Sequence, residues 1–490
     1  MQSPNSALLR DRILDMDASA SPNSAKIQKV FGGQDASQEK DLVSRLPDDI
    51  LVHILSFLPT EDAIKTSILS KRWKYLWVSI PNFCFCDHSV WSRTMSHDLL
   101  LEVLASFFSS VESGAPVQNG PCIGKFYRWL EMPVAASRLR SWLSAAVKHN
   151  VQELKLFLPK GIEFVLPNSL FTSKSLWHFT LKMDCNLKLP GFICFSSLKY
   201  LNLRGVTFQD DQSTQQLFSG FPVLEHLTLF KCNWGNINEI TIEIPTLKSL
   251  TFFEKVIFED NFLNCKIVIS ALNLETLKVR GYLNVELLPC NLLSLDEASV
   301  NIEYLIDGQQ EHSHRLVKLL CGLPNIKSLK LSNEALECLL FAESCPGHLP
   351  TFYNLTTLNA SMNGPYVMND DYTSGALIYV LQKSPNLKSL ILSRGFEPED
   401  VDMIMDIVPG CFQHCLKSVL IYNVDGAAQE LCSLKYLYEN APVLESLSVI
   451  CSPQLTKDLE KQEEIRHELE QLRGGSGSCK IVFLPYGASL

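Results

Sequence analysis

Cys411, His414 and Cys415 have the residue types and close spacing from which a zinc site could be built. A structural zinc ion needs four ligands, and no second Cys/His pair follows at zinc-finger spacing, so these residues read as ordinary thiols of a packed interior. Cys84 and Cys86 alternate about Phe85, as on a strand that faces a core. His312 and His314 stand in a polar segment without an evident carboxylate partner and read as loop residues. No phosphate-cradling glycine loop, G-x-S-x-G elbow or H-E-x-x-H helix occurs, and no cysteine is set apart as a nucleophile. The chain is therefore expected to be non-catalytic and to need neither metal nor cofactor. What remains for its side chains is recognition by contact.

The elements that would present such contacts must come from a large core. The chain has 490 residues, 46% of them hydrophobic, enough for roughly two to four structural units. A formal net charge of -10 argues against a chain-wide attraction to nucleic acid or anionic membrane. The longest apolar stretches, such as Leu99 to Phe108, carry a charge or fall short of the roughly 18 residues of a membrane span. The 16 cysteines are scattered and no basic, then apolar, leader opens the sequence; reduced thiols and a place in the nucleus and/or cytoplasm are expected.

Residues 1–40 are polar and are expected to form a disordered lead. From Asp41 the pattern turns helical. Ile50, Leu51, Ile54, Leu55 and Leu58 share one stripe, with Pro47 and two aspartates at its N-terminal end. Pro59 stops that helix. Thr60 can cap a second, from Glu61 to about Leu69, and Ser70 a third, in which Trp73, Leu76 and Trp77 share a face. Such a module, 41–81, has more apolar side chains than its small interior can hide, and the surplus points to a partner surface.

After a connecting segment, 82–138, Leu139, Trp142, Leu143 and Ala146 predict an amphipathic helix. There the period changes to two, and an L-x-x-L-x-L unit recurs to the C-terminus. It is clearest at Leu198, Leu224, Leu247, Leu274, Ile326, Leu387, Leu416 and Leu444. No unit can cover its own leucines, so the strands must stack into a curved parallel sheet over 139–410, an irregular leucine-rich solenoid. Segments such as Asp211 to Phe218 and Ser374 to Lys383 can form return helices on the outer face. The ninth position, Asn or Cys in ordinary repeats, is kept in a rare case at Cys232 but holds Val206 at the corresponding place elsewhere, so an irregular curvature is expected. Lys457 to Arg473 predicts a solvated helix, Gly474 to Ser478 a flexible link, and Lys480 to Leu484 a last strand capping the sheet.

The stretch LVSRLPDDILVHILSFLPTEDAIKTSILSKRWKYLWVSIP, Leu42 to Pro81, resembles an F-box of the kind abundant in plant proteins. The tail, Cys415 to Val449 and Cys479 to Phe483, resembles the FBD domain that closes many such proteins. The expected fold class is thus α/β: a three-helix F-box, an irregular leucine-rich-repeat solenoid and an FBD-like region, 411–490. The resemblance implies a substrate-recognition subunit of an SCF-type (Skp-cullin-F-box) ubiquitin ligase. Its F-box would bind a Skp-type adaptor, and through it a cullin-RING complex, while the solenoid holds a target protein. The other readings are a non-degradative adaptor-bound scaffold, a protein-interaction repeat protein, and a helix-turn-helix DNA binder suggested by Lys71, Arg72 and Lys74. Net acidity and the tryptophans Trp73 and Trp77 on the same helix count against the last.

For adaptor docking the apolar candidates are Leu46, Pro47, Ile50, Leu51, Ile54, Leu55, Leu58 and Trp77, although one stripe must serve both core and partner. Lys71, Arg72 and Lys74 are expected on a solvated or rim face. On the solenoid, positions between the leucines point away from the core: Tyr200, Asn202, Arg204, His226, Thr228, Phe230, Lys278 and Arg280. Aromatic and arginine side chains among them are the favoured contact residues, against simple solvent exposure for the rest.

Overall fold

The structure, a computed structural model, describes residues 43–80, 82–85, 124–129, 136–158, 160, 164–254, 263–303, 309–339, 349–360, 373–392, 408–472 and 479–488. The expected disordered lead, most of the connecting segment and the Gly-Ser link lie outside the described residues. Two compact units divide between Trp129 and Leu130.

In the first unit, helix α1 (Asp48–Leu55) follows Pro47, whose extended backbone ends the preceding chain. Asp48 and Asp49 occupy the first turn, where the helix dipole favours negative charge. Leu51 and Leu55, one turn apart, are fully buried. Helix α2 (Thr60–Lys65) starts differently from expectation: Pro59 is the N-cap and Thr60 is a buried first helical residue. Nor does α2 continue to Leu69. The Thr66 hydroxyl donates to the Ala63 carbonyl and Ser67 to that of Ile64, which competes with the α-helical ladder, and the chain proceeds as a 3-10 turn over Thr66–Ile68. The third helix is likewise 3-10, Trp73–Ser79, and buries Trp73, Leu76 and Trp77 against α1 and α2. Arg72 is exposed, as expected of a rim residue, and also ties these elements together. Its Nε donates to Asp48 Oδ1 at 2.8 Å and an Nη to the Leu46 carbonyl. Strand β1 (Asn82–Phe85) pairs in parallel with β2 (Lys125–Trp129).

The second unit opens with α3 (Ala136–Lys148), which buries Leu139, Trp142, Leu143 and Ala146 as the pattern requires. Repeat strands follow: β3 (Glu153–Phe157), β4 (His178–Lys182), β5 (Tyr200–Arg204) and β6 (His226–Phe230), then β8 (Ser249–Phe253) after β7 (Glu239–Glu243). Beyond them come β9 (Lys266–Ser270), β10 (Thr276–Gly281), β11 (Glu286–Cys290), β12 (Glu297–Ile302), β13 (Ser328–Leu331), β14 (Thr357–Ala360) and β15 (Ser389–Leu392). The last are β16 (Ser418–Val424), β17 (Ser446–Cys451) and β18 (Lys480–Leu484). One parallel sheet runs β3-β4-β5-β6-β8-β10-β12 and on in sequence from β13 to β18. The repeated leucines fill its inner side: Leu201, Leu203, Leu227, Leu229, Leu250 and Leu277 are all nearly or fully buried.

Return segments differ along the unit. Early and late repeats use helices: α4 (Asp211–Ser219), α5 (Gln309–Cys321), α6 (Asn333–Leu339), α7 (Thr373–Gln382), α8 (Gly410–His414), α9 (Ala428–Asn440) and α10 (Leu459–Leu472). Asp210 caps α4 by accepting the Ser213 N–H at 2.7 Å. The middle repeats instead return through β7, β9 and β11, which form a second parallel sheet. Their segments EITIE and KIVIS are rich in β-branched residues that fit a pleated surface. His312 and His314, expected in a loop, both lie on α5, where His312 is 6% exposed and His314 comes within 4.0 Å of Glu311; the buried Leu316, Val317, Leu319 and Leu320 anchor this helix. The expected solvated C-terminal helix is α10, but Ile465 and Leu469 bury one side of it against α9. β18 pairs with β17 from Ser446 opposite Lys480 and covers that edge, as expected.

The missing polar ladder is replaced piecemeal. Val206 and Cys232 are buried; the Cys232 thiol donates to the Leu203 carbonyl at 3.5 Å, and around Val206 the turn is closed by backbone bonds, Thr207 N–H to Cys185 O and Phe208 N–H to Asn233 O. After β8, the buried Glu254 carboxylate accepts the N–H groups of Tyr282, Asn284 and Val285. After β13, Ser332 Oγ accepts the Ile302 N–H. Each of these satisfies backbone groups that burial would otherwise leave unpaired.

Just before the strands, Lys199, Glu225, Lys248, Glu275, Asp296 and Lys327 stand side by side, each N–H donating to the carbonyl of the previous one. Glu225 is clasped by Lys199 at 2.7 Å and Lys248 at 2.8 Å, and Lys327 pairs with Asp296 at 2.7 Å. Further along, Lys417 pairs with Glu445 at 2.7 Å.

Candidate protein-interaction surfaces

In the first unit the helical stripe splits. Leu51 and Leu55 are 0% exposed and Trp77 8%, so these three expected docking residues form the interior instead; the 3-10 segment Trp73–Ser79 covers that side of α1. Ile50, Ile54 and Leu58 remain 46%, 42% and 41% exposed, Pro47 is exposed and Leu46 half-buried. Phe57, not singled out from the pattern, is 75% exposed and follows Ile54 by three residues and Ile50 by seven, so helical spacing alone could have found it. Its ring meets His53 edge-on at 4.9 Å. Ile68 and Leu69, in and just after the 3-10 turn, are also exposed. A small module thus shows several large apolar side chains on its surface, the mark of an interaction site.

In the second unit the outward strand positions align into rows. One runs Tyr200, His226, Ser249, Thr276; the next Asn202, Thr228, Thr251, Lys278; the third Arg204, Phe230, Phe253, Arg280. Tyr200 and His226 stack at 4.3 Å with planes 12° apart, and Trp177 stands edge-on to Tyr200 at 5.5 Å. In the third row the Arg204 guanidinium lies 4.3 Å from the centre of the Phe230 ring. Phe230 stacks on Phe253 at 4.5 Å, and the Arg280 guanidinium lies 5.1 Å from the Phe253 ring. Two phenyl rings are thereby enclosed between two guanidinium planes, favourable because each cation meets the negative face of a ring. Phe253 was not foreseen, although it occupies the same outward parity as Phe230.

Lys231 follows β6 in the left-handed region, φ 52°, where a non-glycine residue is strained. Its Nζ lies 5.5 Å from the Phe230 ring centre and 5.4 Å from that of Phe253. The equivalent residue after β5 is Gly205, φ 68°, with no such strain. Arg280 Nε also bonds Glu303 at 3.0 Å. Arg204 Nε and Asn202 Oδ1 are buried atoms without a hydrogen-bond partner. On the main-sheet strands β4, β5, β6, β8, β10, β12, β13 and β14 the outward positions carry Lys182, Arg204, Lys278, Arg280 and Lys330 against one acid, Glu297, while Glu303 just past β12 pairs with Arg280. This face is basic on a chain whose net charge is -10.

Among the described residues no group of three or more His, Cys, Asp or Glu side chains is placed to hold a metal ion. Cys411 is buried and its thiol is pushed up to about 12 by desolvation, as is that of Cys232. No helix among the described residues is long and apolar enough to cross a membrane.

Residues 125–471 match the family model described as At1g61320/AtMIF1, LRR domain, and residues 43–85 match that of the F-box domain. The F-box/FBD/LRR-repeat protein At1g78750 of Arabidopsis thaliana is 28% identical over 468 residues, 91% of this chain and 97% of the relative. The FBD-associated F-box protein At4g10400 of the same plant is 28% identical over 458 residues, 90% of this chain and all of the relative. The F-box/LRR-repeat protein At4g14103, also from Arabidopsis thaliana, is 30% identical over 368 residues, 73% of this chain and 92% of the relative. With an F-box fold at its start, leucine-rich parallel strands through its length and relatives of the same composition, the chain belongs to the F-box/leucine-rich-repeat protein family.

Proposed function

We propose that the chain is the target-recognition subunit of a Skp-cullin-F-box ubiquitin ligase in the nucleus or cytoplasm. The observation that carries this reading is the exposed apolar face of Ile50, Ile54, Phe57 and Leu58, on a segment that matches the F-box domain. An apolar helix face of this kind suits a groove on a Skp-type adaptor. The adaptor joins the cullin and RING subunits, and ubiquitin chemistry takes place on those chains. The role of this chain is proximity: a target held on the solenoid meets activated ubiquitin at a high effective concentration.

The experiment is co-expression with a Skp-type adaptor, comparing the parent with Ile54→Asp. The parent should co-purify with the adaptor and the variant should not, both giving the same circular dichroism. Adding cullin, RING subunit and conjugating enzyme should then yield ubiquitin conjugates only with the parent. A well-folded parent that binds no Skp-type adaptor would remove the reading. Adaptor binding without any conjugate of a captured target would favour a scaffold instead.

A further inference from the structure

We infer that the Arg204–Phe230–Phe253–Arg280 row of the solenoid, with Lys231 and Lys278, is the seat of an extended acidic segment of the target protein. This rests on the solenoid being the target-holding surface and adds the chemistry that it selects.

Charge complementarity supplies the occupant. The outward face of the main sheet from β4 to β14 is basic although the chain as a whole is acidic, so a carboxylate-bearing partner is attracted here against the protein's general field. The Arg204 guanidinium retains a buried Nε without a hydrogen-bond partner, and Lys231 is held in a strained backbone conformation that brings its ammonium over both rings. Backbone strain of this kind is characteristic of positions kept for binding.

The spacing defines the segment. Arg204 and Arg280 lie on strands separated by three sheet steps, about 14 Å at the usual interstrand distance of about 4.8 Å. An extended peptide crossing the strands advances about 3.3 Å per residue and shows alternate side chains to one face. Acidic residues at i and i+4 therefore meet the two guanidinium groups, and the residue at i+2 settles on the edges of the phenyl pair. The two guanidinium groups stand over different rings of the phenyl pair, three sheet steps apart along the row, which suits two successive carboxylates better than the convergent cluster a doubly charged phosphate requires. Single-stranded nucleic acid needs open ring faces to stack on, and these rings are already covered by one another and by the two arginines.

The test uses the full chain and a fluorescein-labelled peptide with Glu at i and i+4 and Phe at i+2, compared by polarisation with the same peptide carrying Gln for Glu. The Glu peptide should bind at least about tenfold more tightly, with affinity falling as salt rises. Arg204→Gln with Arg280→Gln should erase the preference. Lys278→Gln, at an exposed position with no packing role, should weaken binding about threefold while leaving the melting temperature unchanged. A chain carrying Arg280→Glu should prefer a Lys-substituted peptide. Equal binding of Glu and Gln peptides would overturn the inference, and so would tighter binding of a phosphoserine peptide or of oligo-dT. Adaptor co-purification, measured on the same variants, should be unaffected. Its loss in the parent would count against the ligase reading, whereas a missing acidic preference in an adaptor-bound chain would count against this surface alone.

Discussion

Ile54 and Leu55 are chain neighbours with opposite surroundings, 42% and 0% exposed, and truncating each to alanine should separate binding from folding. Full burial of an isoleucine side chain is worth about 1.5–3 kcal/mol, so covering the exposed part of Ile54 contributes about 1 kcal/mol to docking. Ile54→Ala should thus weaken adaptor binding roughly fivefold with little change in stability. Leu55→Ala leaves a cavity in a very small interior and should cost about 2–5 kcal/mol, enough to unfold much of the F-box. Ile50, Ile54, Phe57 and Leu58 together leave roughly two side chains' worth of apolar surface open, an upper limit of about 3–6 kcal/mol for the adaptor to gain. Titration calorimetry with purified adaptor, beside urea unfolding followed through Trp73 and Trp77 fluorescence, measures both quantities. The assignment of inner and outer faces is refuted if Leu55→Ala retains its stability and loses binding, while Ile54→Ala unfolds. The same contrast explains why an Ile54→Asp, Leu55→Asp double variant is a poor docking test: the second carboxylate lands in the interior.

Glu225, held at about 2 by hydrogen bonds from Lys199 and Lys248, should stabilise the solenoid above pH 4.5 and lose that contribution as pH falls from 4.5 through about 2. Glu225→Gln should flatten this part of the acid-unfolding curve, and an unaltered curve would contradict the ion pairs. Glu254 has the opposite sign: burial raises its pKa above 4.5, so the parent should lose stability relative to Glu254→Gln as pH climbs past 4.5. Glu254→Ala, which strips two buried N–H groups and a half-buried one of their acceptor, should cost about 2–4 kcal/mol in chemical denaturation. Iodoacetamide should label exposed Cys432 in the native chain well before buried Cys232 and Cys411, in an order read by mass spectrometry; equal rates would contradict their burial.

The repeat architecture was legible because strand parity is strict: once Leu201 and Leu203 face inward, Tyr200, Asn202 and Arg204 must face outward. The F-box face was less so, since an apolar helical stripe has two edges and only the packing of Trp73–Ser79 decides that Leu51 and Leu55 lie inside while Ile50 and Ile54 stay out. The return strands β7 and β9 were missed because a short apolar run does not state whether it forms a repeat strand or its return. Phe253 escaped for another reason. Its meaning comes from Phe230 and Arg280, which sit beside it only after three strands have stacked in register.

The alternating charges of Lys199, Glu225, Lys248 and Glu275 ahead of the strands have a consequence for how such a protein can change over generations. Apart from the half-buried Glu225, the partners are surface-exposed and their pairs contribute little stability, yet like charges directly opposite are unfavourable. Deleting the repeat that contains Glu225 would set Lys199 against Lys248, whereas removing both the Glu225 and the Lys248 units would bring Lys199 beside Glu275. Loss or duplication of repeats is thus graded by parity: this part of the array tolerates editing in pairs better than in single units, a grammar written at its margin rather than in its core.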